Sequence, residues 1–585
     1  MKKKIRLVLF TSLVMVVGLS GMAYYLSKQS KKIQESENVK LERELDIFGE
    51  NNKKFVKEER KISEIYTDTN VQTPKVVYSK MYSKNQTKQV KDKKKKNLYD
   101  FESPLWEWNL YGTNELSIYL YFKTTESTSI QYTIQVEDDT IPNFTRTLYN
   151  GEEDNLTREH EYQLVGLVPG TENLICLEMY GKDKKLLNKK VFSLDVPELT
   201  TKVEKKISVS SGRSDEQISN GLYTIFSENA ICLYDNSGCI RSVFPLLGTT
   251  SQKIYIDDQE MYYGLNQKQI VKMNALGAVE ELYSLGKYNQ YEDFIYNGYG
   301  ELWILATKQG KKSKSVKDTV ISLNLKNKKV EELFCMEDLL PEMKKRCTKE
   351  KGKKVFDWIN LTGLTQVKSD EVIVSSRELS TLFKITNINS REPRISYLIG
   401  EKQIWKGTIY EKKLLDKKGQ SEADEALADE QEESILDLGE AEQVFISQYG
   451  PTWISLGTGE ELSESQYYLY VWDSNYGNSP TRPKFKWKQF KGIGLKNRPA
   501  KASFLKTFLV DENTAVYDLV ETKELAYTKE QGSTLFYKNH RIDSRGEEKE
   551  YAEYDSTGRM IRKFTHTIKN VLRIEKMDMK EFWFY

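Results

Sequence analysis

The chain has 585 residues, 38% hydrophobic and 30% charged, with a formal net charge of +2. That length calls for at least two folded units, and the near-neutral charge gives no global argument for a nucleic-acid or acidic partner. Five Cys with no CxxC pair and no Cys/His cluster argue against a disulfide framework or a structural zinc site, and leave scattered packing cysteines with at most one bridge.

The amino terminus opens with a basic cap, Met1 to Arg6, followed by an apolar, uncharged run from Leu7 to Leu26. About twenty such residues at ~1.5 Å each span a ~30 Å hydrocarbon core. The expectation is a transmembrane signal-anchor over residues 1–27, a single-pass cell-membrane protein with the bulk of the chain extracytoplasmic. Gly21-Met22-Ala23 leaves cleavage open as the alternative.

Residues 28–99 read as a polar stalk without sustained periodicity, ending in the basic run Lys91 to Lys96. Such a run either attracts an anionic surface or is a solvated spacer, the simpler reading. Residues 100–198 then alternate with period two, as in Ser117 to Phe122, Ile130 to Val136 and Asn173 to Met179, with Gly166-Leu-Val-Pro-Gly170 as a turn. This is the pattern of a small β-sandwich.

Residues 199–585 contain a weak repeat in which a hydrophobic strand enters a turn of Asp, Asn, Gly or Lys and returns. It is found at Leu233–Phe244, Lys272–Tyr283, Leu323–Phe334, Lys384–Leu398, Leu509–Leu519 and Tyr554–Phe564. With room for two further strands between most of them, the expected fold is all-β: a six-bladed β-propeller after the sandwich. An acidic stretch, Gly419 to Glu440, reads as a solvated loop insertion.

Asp357-Trp358-Ile359-Asn360-Leu361-Thr362, followed by Ser375-Ser376-Arg377, resembles a signature of the bacterial aryl-sulfate sulfotransferases, Asp-Trp-x-His-x-Asn and then Ser-Ser-Arg. Tyr291-Glu292-Asp293 with Asn297-Gly298 is similar to that family's His-His-Asp element, and Ser447-Gln448-Tyr449 to its Gln-His element. The resemblance runs in order over residues 100 to 585, at low identity. It implies a propeller funnel in which a His attacks sulfur, other His and an Arg hold the sulfuryl oxygens, and an aryl sulfate or phenol is the small-molecule partner. It implies no cofactor.

The departures from that pattern are systematic. Tyr449 stands at the nucleophile's place, Asn360 and Thr362 replace His and Asn, and Tyr291-Glu292 replace the His pair, while Arg377 is kept. Trp358 is either a pocket wall or a packing residue. The only histidines, His160, His540 and His566, match none of these positions and read as surface or turn residues.

Tyr ionises near pH 10, so about a thousandth is phenolate at pH 7. A carboxylate at Glu292 would repel a sulfate by ~4 kcal/mol at ~4 Å and an effective dielectric of ~20. Each lost oxyanion donor costs ~3–4 kcal/mol more. The expectation is a degenerate, ligand-binding propeller. The alternative is an active sulfuryl transferase with Tyr449 as nucleophile and Glu292 as base. A cell-surface module using a Tyr/Trp-rich face for a protein partner is a third reading.

Overall fold

The computed structural model describes residues 58–60, 73–390, 392–418, 451–457 and 462–585. The expected anchor, the acidic insertion and Tyr449 lie outside these residues. Among the described residues no helix is long and apolar enough to cross a membrane.

The amino-terminal domain is built on one 19-residue strand, Ser117–Gln135. Its first half pairs with Leu105–Trp108 and Thr157–Val165, its second with Phe144–Thr147 and Thr171–Tyr180. The exposed polar stretch around Lys123 to Ser127 marks the change of partners, and beyond it Ile130, Tyr132 and Ile134 alternate into the core. The turn after Thr157–Val165 begins at Gly166 with φ +103°, where a Cβ would lie 2.5 Å from the Phe144 ring. Only glycine fits there.

Six sheets follow, each a meander of four antiparallel strands, and the arrangement is propeller-like. The strand nearest the axis runs, in successive sheets, over Glu575–Met577, Ile254–Asp257, Tyr288–Tyr296, Leu361–Lys368, Pro451–Gly457 and Gly532–Tyr537. The third of these packs on the fourth, the fourth on the fifth, the fifth on the sixth, and the sixth on Glu575–Met577. The first sheet thus takes its other strands from Leu222–Phe226, Ala230–Tyr234 and Ile240–Pro245 and its inner strand from the far end of the chain. In return, Ser208–Ser211 adds an outer strand to the sixth sheet. A buried network seals this junction: Lys576 Nζ donates to Glu553 Oε2 at 2.7 Å, His540 Nδ1 lies 2.6 Å from Glu553 Oε1, and the Tyr223 hydroxyl donates to the same carboxylate.

Each of the six hairpins read from the repeat forms the third and fourth strands of its sheet counted from the axis. Every turn carries a left-handed residue: Gly238, Gly277, Lys328, Asn387, Ala515 and Gly558. This is why Gly and Asn recur there.

Two expectations are corrected. Residues within the supposed stalk form a 17-residue helix, α1 (Lys80–Lys96), capped by the Ser79 hydroxyl and docked against the sandwich and the second sheet. Its inner face is Ser83, Gln86 and Val90; the Ser83 hydroxyl accepts from Val279 N at 2.9 Å, and the preceding Tyr78 hydroxyl bonds that of Tyr263 at 2.8 Å. Polar groups do the docking, so no apolar stripe advertises the helix.

The histidines are not at the surface: His160, His540 and His566 are all buried. His160 stacks on Phe122 at 4.6 Å and bonds Thr128 and Tyr162, and burial pushes its imidazole down to about 4. The five cysteines are free and buried.

Candidate functional site

The strand Tyr288–Tyr296 loses register with its neighbour between Gln290 and Phe294, and Glu292 adopts φ +50°. This bulge takes Tyr291, Glu292 and Asp293 out of the ladder at the axis, as bulges do when they re-aim side chains. The Glu292 carboxylate accepts from Lys317 Nζ at 3.1 Å, and the same ammonium lies 5.5 Å from the centre of the Tyr291 ring. Lys317 comes from the loop before the strand Thr319–Asn324, itself at φ +54°. The repulsion expected from Glu292 toward an anion is therefore offset by a cation that no motif marked.

The Tyr291 hydroxyl is buried without a hydrogen-bond partner among the described residues. Burial, with the charges of Glu292, Asp318 and Asp357, drives its phenol far above the usual range. It is a neutral donor here, not a base.

The Asp357-to-Thr362 segment leads into the next sheet's inner strand. Asn360, at φ +47°, donates from Nδ2 to Asp357 Oδ2 at 2.6 Å; its carbonyl accepts from Arg377 N at 3.1 Å, and the next amide, Leu361 N, donates to the Lys317 carbonyl at 3.0 Å. Asp357 Oδ1 and Asn360 Oδ1 are buried without partners among the described residues. Burial raises the Asp357 carboxyl, Lys317 and Arg377 hold it down, and Glu292 pushes it up again. That set of influences puts Glu292, Lys317, Asp357 and Arg377 in one electrostatic neighbourhood. Glu378 adjoins it, bonded by the Thr481 hydroxyl at 2.9 Å and pushed up to about 7 by burial.

Two residues expected to line a ligand site face elsewhere. Trp358 is fully buried in a core with Leu340, Met343 and Phe383. The Thr362 hydroxyl is buried and bonded to that of Ser375 at 2.9 Å. Tyr291, Glu292, Asn360 and Arg377 are brought together with Asp357, and Tyr449 lies outside the described residues.

Beside this cluster an axial cavity of about 180 Å³ is lined by Lys253, Asp293, Leu364, Ser533, Arg573 and Glu575, from five of the six sheets or their entry segments. Arg573 Nη1 donates to Asp293 Oδ1 at 2.8 Å, Lys253 Nζ is 3.7 Å from the same oxygen, and burial raises the Glu575 carboxyl. Sequence reasoning missed Lys253, Lys317 and Arg573, which have no local signature and meet only through ring closure. A larger cleft of about 800 Å³, under the linker Leu199–Lys205, carries none of these groups.

Asp318, Cys335 and Glu337 are close enough to share a cation, but the Lys311 ammonium occupies their centre, 2.7 Å from Asp318 Oδ1 and 3.0 Å from Cys335 Sγ. The axial cluster gathers the cations Lys317 and Arg377 about Asp357, and Arg573 lines the adjoining cavity. It offers no imidazole.

A family model described as arylsulfotransferase (ASST) matches residues 208–539, and one described as an arylsulfotransferase Ig-like domain matches residues 105–197. No curated protein matches the chain. Among solved structures, BamB from Moraxella catarrhalis is 10% identical, covering 63% of this chain and 92% of its own, with a TM-score of 0.28. The periplasmic gluconolactonase PpgL of Pseudomonas aeruginosa is 8% identical, covering 76% and 99%, with a TM-score of 0.27. Likeness at that level carries no argument about activity.

Proposed function

The chain belongs to the arylsulfotransferase family, and from that premise we propose that it binds an aryl sulfate or a related phenolic anion at the axis without transferring the sulfuryl group. The observation that carries this reading is the placement of the histidines. His160 is buried in the sandwich, and His540 and His566 in and just after the strands of the sixth sheet. A neutral imidazole is the ordinary nucleophile and proton carrier at pH 7, and none lies among Tyr291, Glu292, Asp357, Asn360 and Arg377.

The cations of the family's site chemistry are present in altered form. Arg377 and Lys317 supply positive charge beside Asp357, which supports binding of an anion, and Glu292 is engaged by Lys317. The Glu292 carboxylate is already occupied by Lys317 Nζ at 3.1 Å, which weighs against the altered-nucleophile alternative. The reading also keeps Leu7 to Leu26 as a single membrane anchor with the remainder extracytoplasmic.

The test uses the full chain with a chromogenic aryl sulfate donor and a phenol acceptor, alongside calorimetric binding of the donor. The expected outcome is binding without turnover, with affinity reduced about 10- to 100-fold in Arg377→Ala, the scale of one lost charge-assisted contact. Turnover that disappears in Tyr449→Phe would overturn the non-catalytic reading. Absence of donor binding would overturn the site itself.

A further inference from the structure

The basic run of the supposed stalk is rigidly displayed. Helix α1 turns Ser83, Gln86 and Val90 inward. On its other side Met81, Lys84, Lys88, Lys91, Lys95 and, just past the helix end, Leu98 follow one another at steps of three and four residues, and all six are exposed. Steps of three and four put side chains on one face of a helix. The result is a single outward stripe, apolar at both ends and basic between, in which Met81 is 68% and Leu98 101% exposed.

Among the described residues the four stripe lysines have no ion-pair partner. The ion pairs of this helix are made by Lys80 with Glu281, Lys93 with Glu107 and Lys94 with Glu161, all toward the body of the protein. The helix contains one acid, Asp92, which is exposed beside the stripe and leaves it strongly cationic. Packing of the inner face fixes the lysines in a row roughly 16 Å long, at ~1.5 Å per residue. A flexible spacer would have let them disperse.

We infer that this stripe is a docking surface for an anionic phospholipid bilayer. Charge complementarity supplies the attraction, and the flanking Met81 and Leu98 favour a bilayer over a dissolved polyanion, because exposed apolar side chains beside lysines gain by entering the headgroup region. The surface lies on the outer face of α1, apart from the axial cluster, so it is independent of the binding reading above.

The test is site-resolved amine footprinting of the full chain in nanodiscs of phosphatidylcholine alone or with phosphatidylglycerol. Any insertion of the apolar amino-terminal run is common to both. Labelling of Lys84, Lys88, Lys91 and Lys95 should fall several-fold in the anionic discs and recover in high salt, in line with about 5-fold in affinity per lysine near an anionic surface. Lys182 and Lys184, exposed on the sandwich, should be unchanged. The Met81→Ser/Leu98→Ser variant should lose part of the protection. Equal labelling in both discs would overturn the inference. So would protection by inorganic polyphosphate in neutral discs matching that of the anionic lipid, since the surface would then be one for soluble polyanions.

Discussion

Arg573 and Asp293, 280 positions apart in the chain, form a buried ion pair at 2.8 Å that ties the entry of the first sheet's inner strand to the bulge of the third. Lys253 Nζ lies 3.7 Å from the same carboxylate oxygen. Arg573→Met leaves Asp293 buried with only the longer Lys253 contact at 3.7 Å, and because stranding one member of a buried pair outright costs about 3–5 kcal/mol, the loss should approach the lower end of that range. Denaturant unfolding should show that loss, and the double variant Arg573→Met/Asp293→Leu should recover most of it. A loss under about 1 kcal/mol in the single variant would mean that the pair contributes little.

Glu378 sets one pH dependence. Its carboxyl titrates near 7 in the folded protein because of burial, against an ordinary value of 4.5. The folded state therefore holds a proton between those values that the unfolded chain has released, and stability falls as pH rises through that window. The full effect is on the order of 3 kcal/mol. Glu378→Gln should flatten this part of the profile. The same proton reduces negative charge beside Arg377, so anion affinity should rise as pH drops from about 8 to about 6 in wild type and not in Glu378→Gln.

The histidines act in the opposite direction. Burial lowers His160 and His566 to about 4 from an ordinary 6.5. Between those values the unfolded chain binds protons that the native state refuses, so stability drops as pH falls from 6.5 toward 4. Neither ring nitrogen of His566 has a hydrogen-bond partner among the described residues. His566→Phe should be neutral or stabilising at pH 7 and distinctly stabilising at pH 5, because it removes both unpaired polar atoms and the proton demand. A lower Tm than wild type at pH 5 would refute this.

Ala515 occupies the left-handed turn position that glycine fills in the first, second and sixth sheets, at φ +56°. The Cβ there costs roughly 1 kcal/mol. Ala515→Gly should raise the unfolding midpoint by the net of that relief and a small entropic loss. The corresponding change at Gly558, to Ala, should lower it.

The outer hairpins were legible because their chemistry is local. A solvated turn needing positive φ selects Gly, Asn or Lys, and the flanking strands alternate, so Leu233–Phe244 or Tyr554–Phe564 announces itself within a dozen residues. The inner strands were not legible. Glu575–Met577 is three residues long and derives its identity from a partner some 350 positions away, at Leu222–Phe226. Helix α1 escaped for a different reason: its docking face uses the polar Ser83 and Gln86 beside Val90, and the Ser83 hydroxyl bonds Val279 N across the interface, a contact that no hydropathy pattern records. At the axis, the motif positions Tyr291, Glu292, Asn360 and Arg377 were found in sequence, while Lys317, Lys253 and Arg573 were not. Their function as counter-charges exists only once separate sheets converge.

That the first sheet borrows its inner strand from Glu575–Met577 has a consequence for biosynthesis. Synthesis delivers the chain from its amino terminus, at ~5–20 residues per second, so the sandwich and the outer strands of the first sheet emerge while their axial neighbour is still unmade. The ring stays open until Glu575–Met577 has left the ribosome. Any product halted before Met577 presents an unpaired strand edge at Leu222–Phe226, the kind of edge that quality-control proteases and neighbouring unfinished chains engage. Closure of the first sheet thus waits on Glu575–Met577, and the fold itself discriminates chains that carry this strand from those that lack it.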